Sequence, residues 1–416
     1  MKNDILIIGA GQAGFSVAAR LRKEQFTGGI TLLGEEAYSP YQRPPLSKKY
    51  LLGNMKLERL SLRKPAFYTD NDIRLESGCH VDTVDLDNQV VKTSTAEYPF
   101  SQLVFATGSS PKQLPASIGG NLPQVYTIRS IDDIDAIRQQ LSSIENLVII
   151  GGGYIGLEAA AVFRQLDKKV TVIEAAERIL QRVACKETAD YFREKHVEQG
   201  VEFLENTKLT SLAENKSGTH PLQVNLEGGR ELSADAVIVG IGAVANSNIA
   251  RDAGIGIDEL TGGIAVDVYG KTSHADVWAA GDCAAFKFDG RMIRLESVQN
   301  AIDQAENLAC NLTGQETRYA PMPWFWSDQY DIKLQIAGLN TGYTHVVQRQ
   351  GNKPGSTSKW YYRQESDDSP QQLLAVDAIN DAVAYMTARK LLEKGQSIAP
   401  DIAADPAFDL KTLINA

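Results

Sequence analysis

The chain has only four cysteines, Cys79, Cys185, Cys283 and Cys310, and no two of them lie close together. Without a CxxC or any other short pair, a local redox disulfide and a sequence-local zinc motif are excluded, and scattered thiols fit a reducing compartment. Positive charge is also short. Lys and Arg number 42 against 52 Asp and Glu, a net charge of -10, which does not suit a general nucleic-acid surface. Long apolar runs are missing as well. The most apolar long window, residues 147–163, is broken by glycines and by Glu158, and it is shorter than the ~20 residues a membrane span requires. The N-terminus lacks the basic region and cleavage site of a secretory signal. A cytoplasmic protein with no membrane segment, no metal site and no nucleic-acid partner is expected.

What is present starts at residue 4. Asp4-Ile5-Leu6-Ile7-Ile8 reads as a short buried strand, and Gly9-Ala10-Gly11-Gln12-Ala13-Gly14 as a tight turn. Residues 15–23 then have helical spacing, with Val17, Ala18 and Leu21 on one side, and residues 30–33 form a second strand ending at Gly34-Glu35. This is the dinucleotide-binding strand–turn–helix–strand fingerprint in full context. Glycines let a pyrophosphate approach the helix N-terminus, and the terminal acid is placed for ribose hydroxyls.

The stretch YQRPPLSK, residues 41–48, follows. Its two prolines fix the backbone and forbid a regular helix through that point. Two readings stay open: a rigid surface loop with two stray cations, or a wall beside a bound ring with Arg43 and Lys48 aimed at electron-rich atoms. Short strands are expected near Val81, Val84 and Val90-Val91, and a buried strand runs through Leu103 to Ala106-Thr107-Gly108. A polar helix over residues 131–141 marks a crossing into a second domain.

The opening unit then recurs. Leu147-Val148-Ile149-Ile150 leads into Gly151-Gly152-Gly153-Tyr154-Ile155-Gly156-Leu157-Glu158, a helix, and a strand ending at Glu174. Two fingerprints in one chain imply two dinucleotides. Hydride transfer between them is the simplest use, because such chemistry belongs to the cofactors; FAD and a nicotinamide are the natural pair. Residues 233–242 read as another buried strand ending in glycines, and Val277-Trp278-Ala279-Ala280 as a strand ending at Gly281-Asp282. Asp282 fits either a ribitol contact or a helix cap. A helix from about Ser297 offers its first amides and positive dipole end to negative charge. From residue 319 the character changes to an aromatic loop at 321–330, strand-like runs at 332–337, 344–348, 359–363 and 373–377, and a last helix over 381–393. That is a separate α+β domain. Trp324 and Trp326 fit core packing unless their loop lies at a flavin.

YQRPPLSK at 41–48, ATGSSP at 106–111, GGGYIGLEAA at 151–160, AAGDCA at 279–284, ESVQNA at 296–301 and PWFWSDQYDIKLQIAG at 323–338 together resemble one family. It is the FAD-containing, NADH-dependent ferredoxin reductases of bacterial oxygenase systems, of the putidaredoxin reductase and aromatic-ring dioxygenase type. The likeness runs over almost the whole chain. It implies an α/β fold with two Rossmann-like dinucleotide-binding domains of the glutathione-reductase-like type plus a C-terminal α+β domain. The implied FAD-binding domain is 1–113 with 247–318, the NADH-binding domain 114–246 and the C-terminal domain 319–416. By position, Arg43, Pro45 and Lys48 lie on the flavin ring, Glu35 meets the FAD adenosine ribose, Asp282 the ribitol, and amides near Val298 the pyrimidine edge. Glu158 neighbours Lys48 and the nicotinamide, Glu174 holds the NADH ribose, and Trp326 lies near the flavin edge. Lys48, Glu158 and Trp326 are the implied catalytic set. The implied cofactor contacts further include Gly9, Gly11, Gln12, Ala13, Gly14, Val81, Ala106, Thr107, Gly108, Arg129, Gly151, Gly153, Tyr154, Ile155, Gly156, Arg182, Gly242 and Gly281. One departure stands at Ala245, where many relatives carry proline before asparagine.

The resulting expectation is hydride from NADH to FAD, then single electrons to an acidic [2Fe-2S] ferredoxin that feeds a P450 or Rieske oxygenase. The alternatives are reduction of rubredoxin, a quinone or another small acceptor. Disulfide reduction would need a flavin-side cysteine pair, and the loop after the first unit has none. Glu174, followed by Ala175-Ala176 rather than arginine, disfavours the NADPH 2′-phosphate by charge repulsion, with Arg178 and Arg182 nearby in sequence. A monomer or a homodimer is compatible with the sequence. Arg291, Arg294, Arg318 and Lys333 are candidate docking cations for an acidic partner.

Overall fold

The computed structural model describes residues 4–216, 219–366 and 369–415. They form two compact units, Met1–Arg43 with Lys56–Ser110 and Ala243–Pro321, and Pro44–Met55 with Pro111–Gly242 and Met322–Ala416.

In the first unit a five-stranded parallel sheet runs in the order Val277–Ala279, Gln102–Phe105, Ile5–Ile8, Ile30–Gly34, Ile73–Ser77. Ile5–Ile8 is central and all four residues are buried, as a strand covered on both faces must be apolar on both. Ile5 and Ile7 face the packed helices Gln12–Lys23 and Val298–Leu312, among Val17, Leu21, Ala305 and Leu308. Leu6 and Ile8 face the other side, where Leu33, Phe105 and Val84, Val91 and Tyr98 of a small antiparallel sheet gather. Of the expected short strands, Val84, Val90 and Val91 lie in Thr83–Asp85 and Val90–Lys92, while Val81 falls in the connection before them.

The second unit holds a second parallel sheet, in the order Val201–Leu204, Lys169–Ile173, Asn146–Ile150, Ala236–Val239, Val125–Tyr126. The polar helix is Ile131–Gln140. It starts in a capping box between Ser130 and Asp133 and buries Ile131, Ile134 and Ile137, so a mostly polar sequence still docks by one apolar stripe.

The same unit contains a five-stranded antiparallel sheet, in the order Trp324–Gln329, Ile332–Gly338, Gln372–Ile379, Thr357–Arg363, His345–Gln350. The helix Ala382–Glu393 covers it through Ala384, Ala388 and Leu391, against Trp360, Tyr362 and Val376. Two expectations are corrected here. The aromatic stretch 321–330 is not a loop: its middle is the strand Trp324–Gln329, which pairs residue for residue with residues 332–337 around a turn where Tyr330 takes φ 56°. The helix Ala382–Glu393 is not the last, since Pro400–Ala404 and Lys411–Asn415 follow. Among the described residues no helix is long and apolar enough to cross a membrane.

Candidate active site

Both glycine turns are built by the same contacts. Gly9 has φ +111°, and a Cβ placed on it would come within 2.2 Å of the Ala106 carbonyl oxygen; Gly151 has φ +108°, with the Gly240 carbonyl oxygen at 2.4 Å. Only glycine fits either position. Gly11 and Gly153 differ: a Cβ on either meets nothing within 4 Å. Each is the N-cap of its helix, Gln12–Lys23 or Tyr154–Gln165, and neither helix has a side-chain cap. The helices beginning after Ser130, Ser297 and Asp381 are capped by those side chains. Two uncapped helix starts with open space before them suit the phosphates of two dinucleotides.

The acid at each second strand is in place. Glu35 follows Ile30–Gly34, is exposed, and meets His80 Nδ1 at 3.0 Å. Glu174 follows Lys169–Ile173, and its carboxylate accepts from the N–H groups of Gly152 at 2.7 Å and Ala176 at 2.8 Å. Those bonds hold it at the mouth of the Gly151–Gly153 turn. Arg178, a worry for NADPH discrimination, is spent on the carbonyls of Ile179 and Ala184. Arg182 is exposed, with its guanidinium 3.7 Å from where a Cβ on Gly242 would lie. The Arg129 N–H donates to Asp133 at 2.8 Å, so Arg129 sits at the start of Ile131–Gln140.

Around the first sheet, Ala106 is buried and its N–H donates to the Ile8 carbonyl. Thr107 exchanges hydrogen bonds with Asn246, Oγ1 to the Asn246 carbonyl at 2.6 Å and Asn246 Nδ2 to the Thr107 carbonyl at 2.9 Å. The asparagine after the departure at Ala245 therefore keeps a defined place. Asp282 accepts from Ser109 Oγ at 2.8 Å, and the Gly281 N–H donates to Gln304 Oε1. Val298 is the first residue of its helix, after the Ser297 cap. Arg43 pairs with Glu36 at 2.5 Å and donates to Tyr41 Oη at 2.9 Å, which makes residues 36–43 a rigid knot and supplies an anchor for one of the two cations in question.

The other cation has a different fate. Pro45 starts the short helical turn Leu46–Tyr50, which Lys48 interrupts with φ −129° and ψ −108°. Lys48 Nζ lies 2.5 Å from Glu158 Oε2. Glu158 is 6% exposed. The same oxygen accepts from Ser47 Oγ at 3.0 Å, and Oε1 accepts from Ser327 Oγ at 2.8 Å. Glu158 comes from the second fingerprint helix, Lys48 from the double-proline loop and Ser327 from the aromatic strand, so three motifs far apart in sequence meet on one carboxylate. Trp326 precedes Ser327, is half-buried, and has Trp324 and Phe325 as ring neighbours at 5.6 and 6.4 Å. Tyr154 packs on Phe325 at 5.1 Å. Ile155, beside it, is 52% exposed, and exposed apolar surface at a helix start suits a ligand contact rather than core packing.

Family models match the chain in two parts: "Pyridine nucleotide-disulphide oxidoreductase" over residues 3–305 and "Reductase C-terminal" over residues 324–414. The chain belongs to the pyridine nucleotide-disulphide oxidoreductase family. It is 41% identical over 414 residues to a rhodocoxin reductase of Rhodococcus erythropolis, covering 99% of this chain and 94% of that protein. It is 36% identical over 379 residues to a rubredoxin-NAD(+) reductase of Pseudomonas putida, covering 90% and 95%. Among solved structures, a ferredoxin reductase from Rhodopseudomonas palustris matches with a TM-score of 0.92 and 37% identity over 99% of both chains. The reductase of a covalent putidaredoxin reductase–putidaredoxin complex matches with 0.92 and 35%, over 99% of this chain and 98% of that one. The expected fold and family therefore stand.

Three residues of this pyridine nucleotide-disulphide oxidoreductase were not legible as site residues. Ser47 and Ser327 carry the hydrogen bonds that satisfy Glu158, and Gln329 donates to Ser327 Oγ at 3.1 Å. The available signal is the polar run Ser327-Asp328-Gln329 after three aromatics, in which strand spacing places Ser327 and Gln329 on one face.

Proposed function

We propose that this protein is a cytoplasmic flavoprotein reductase that takes electrons from NADH and delivers them singly to a [2Fe-2S] ferredoxin serving an oxygenase. The observation that carries the reading is the pair of uncapped helix starts at Gly11 and Gly153, each with open space before it and an acid at the following strand end. The FAD-binding region is 1–113 with 247–318, the NADH-binding region 114–246, and residues 319–416 form the C-terminal region. Bound FAD supplies the chemistry, accepting a two-electron hydride and releasing electrons one at a time.

The residues of this chain bind, orient and balance charge. Residues 9–14 and 151–156 would seat the two pyrophosphates, with Glu35 and Glu174 on the adenosine riboses and Asp282 on the ribitol. Lys48 supplies a fixed positive charge, and Glu158 with Ser47 holds its ammonium in one position, which preorganises the field that stabilises developing negative charge. In the first unit, the helix start at Val298 offers its amides and positive dipole end to negative charge. Trp326 borders the region from which electrons leave. Glu174 keeps a negative charge where a 2′-phosphate would sit, so NADH is the preferred donor.

A second reading, delivery to a rubredoxin, is favoured by the 36% identity with a rubredoxin-NAD(+) reductase. The deciding experiment compares NADH-driven reduction of a [2Fe-2S] ferredoxin, a rubredoxin, a quinone and oxygen by the purified holoenzyme. Saturable ferredoxin reduction with slow oxygen turnover supports the proposal. An inert ferredoxin panel beside fast rubredoxin or quinone turnover overturns it and keeps the two cofactor sites.

A further inference from the structure

Behind Glu158 lies a run of buried polar side chains that the proposed reaction does not use directly. Ser327, Gln329 and His196 are each 1% exposed or less. Gln329 Nε2 donates to Ser327 Oγ at 3.1 Å, and Ser327 Oγ donates to Glu158 Oε1 at 2.8 Å. With its nitrogen so engaged, Gln329 turns Oε1 to His196 Nε2 at 2.8 Å. The imidazole must then carry its proton on Nε2 and accept at Nδ1. The Tyr330 hydroxyl lies 3.1 Å from Nδ1 and can donate there. Every contact works in one direction only, from Tyr330 to the carboxylate. Burial keeps the first two members in the required state, because it lowers the His196 pKa to about 4 and raises that of Tyr330.

We infer that Gln329 and His196 are positioning residues that hold Glu158, and through it the Lys48 ammonium, in the orientation used for hydride transfer. The inference rests on the proposed role of the Lys48–Glu158 pair. Its physical basis is the cost of a buried carboxylate, which is stable in one orientation only while its lone pairs are satisfied. Lys48 and Ser47 both bind Oε2. Ser327 donates to Oε1, and a serine hydroxyl has free rotation. Gln329 removes that freedom by occupying the Ser327 lone pair, and His196 removes the corresponding freedom of the Gln329 amide. A chain selected only for packing would not need an amide and an imidazole in matched orientation at 1% exposure or less.

The test uses the FAD-loaded enzyme and follows flavin bleaching by NADH in stopped flow across a range of NADH concentrations. Gln329→Met keeps length and volume but loses both hydrogen bonds. His196→Phe keeps a ring and loses the donor, whereas His196→Gln retains an N–H near the Nε2 position. The expected result is a limiting reduction rate about tenfold lower in Gln329→Met and His196→Phe, with NADH affinity within about twofold and His196→Gln close to wild type. Unchanged limiting rates in Gln329→Met and His196→Phe overturn the inference. So does a loss that His196→Gln fails to restore, since that pattern marks packing. If Gln329→Met does not fold, the contrast between His196→Phe and His196→Gln decides alone. Glu158→Gln in the same series separates the levels. A slow Glu158→Gln beside fast chain variants sinks this inference only, and a wild-type rate in Glu158→Gln sinks the proposed role of the pair as well.

Discussion

A carboxylate as buried as Glu158 is tolerated because Lys48 and two serine hydroxyls meet it. Removing one member of a buried pair leaves the other uncompensated, which costs about 3 kcal/mol. Lys48→Met should therefore lower stability by roughly that amount, and Lys48→Met with Glu158→Met should recover most of it. Flavin reduction should stay slow in both, so chemical denaturation alongside stopped-flow reduction separates the pair's catalytic contribution from its structural one. Two other buried groups set a pH signature. The His196 pKa falls from 6.5 to about 4 through burial; the unfolded chain then binds the extra proton, and stability is lost as pH drops from about 6.5 toward 4. Asp377 is raised from 3.8 to about 6, again by burial, although Tyr361 and Thr188 donate to it. Folded, it takes up a proton near pH 6, before the unfolded chain does, so stability is gained over nearly the same descent. Each effect reaches about 3 kcal/mol and the signs oppose. Wild-type stability should change little from these two groups between pH 7 and pH 4. His196→Gln should become more stable on acidification and Asp377→Asn less stable, as read from denaturation midpoints; parallel curves for all three proteins would refute this.

At the scale of elements, the glycine turns show how much of the site can be read from sequence. Strand, turn, helix and terminal acid at residues 4–35 and 147–174 are local, and each feature is specified within a few residues of its neighbours. The Trp324–Gln329 strand reads as a loop in the sequence because its polarity is inverted. Ser327 and Gln329 are buried while Trp324, Phe325 and Trp326 are half-exposed, and hydrophobic periodicity reports the wrong face when polar side chains point inward to a carboxylate. The contact of Lys48 with Glu158 came only from family likeness, since no local rule joins residues 110 apart. The glycines also yield a paired prediction. Gly153→Ala adds a methyl into open space, at φ −81°, so thermal stability should hold within about 1 °C of wild type. If a pyrophosphate occupies that space, the KM for NADH should rise about tenfold or more. Gly151→Ala, at φ +108° against the Gly240 carbonyl, should instead destabilise by about 2 kcal/mol or more. Equal NADH affinity in Gly153→Ala and wild type would remove the phosphate from that helix start.

At the scale of the whole molecule, the question is how a chain of net charge -10 would attract the acidic ferredoxin proposed as its acceptor. Average charge opposes the encounter, so any steering must come from local cations that are free to act. The structure narrows the candidates. Arg294 is committed to the Thr261 and Asp282 carbonyls and to the Glu296 carboxylate at 2.6 Å, which leaves it little to offer a partner. Arg291, Arg318 and Lys333 are exposed. Long-range attraction between exposed charges falls steeply once the Debye length shrinks from about 10 Å at 0.1 M salt to about 3 Å at 1 M. If these residues steer the ferredoxin, kcat/KM for ferredoxin should drop about tenfold or more over that range, while NADH-driven reduction of a small neutral dye changes little. Charge reversal at Arg291, Arg318 and Lys333 should lower kcat/KM at low salt and flatten its salt dependence, because only the electrostatic part of the encounter is removed. A wild-type rate that ignores salt, or a triple variant that keeps the full salt slope, would mean that the carrier docks through uncharged surface or through other cations.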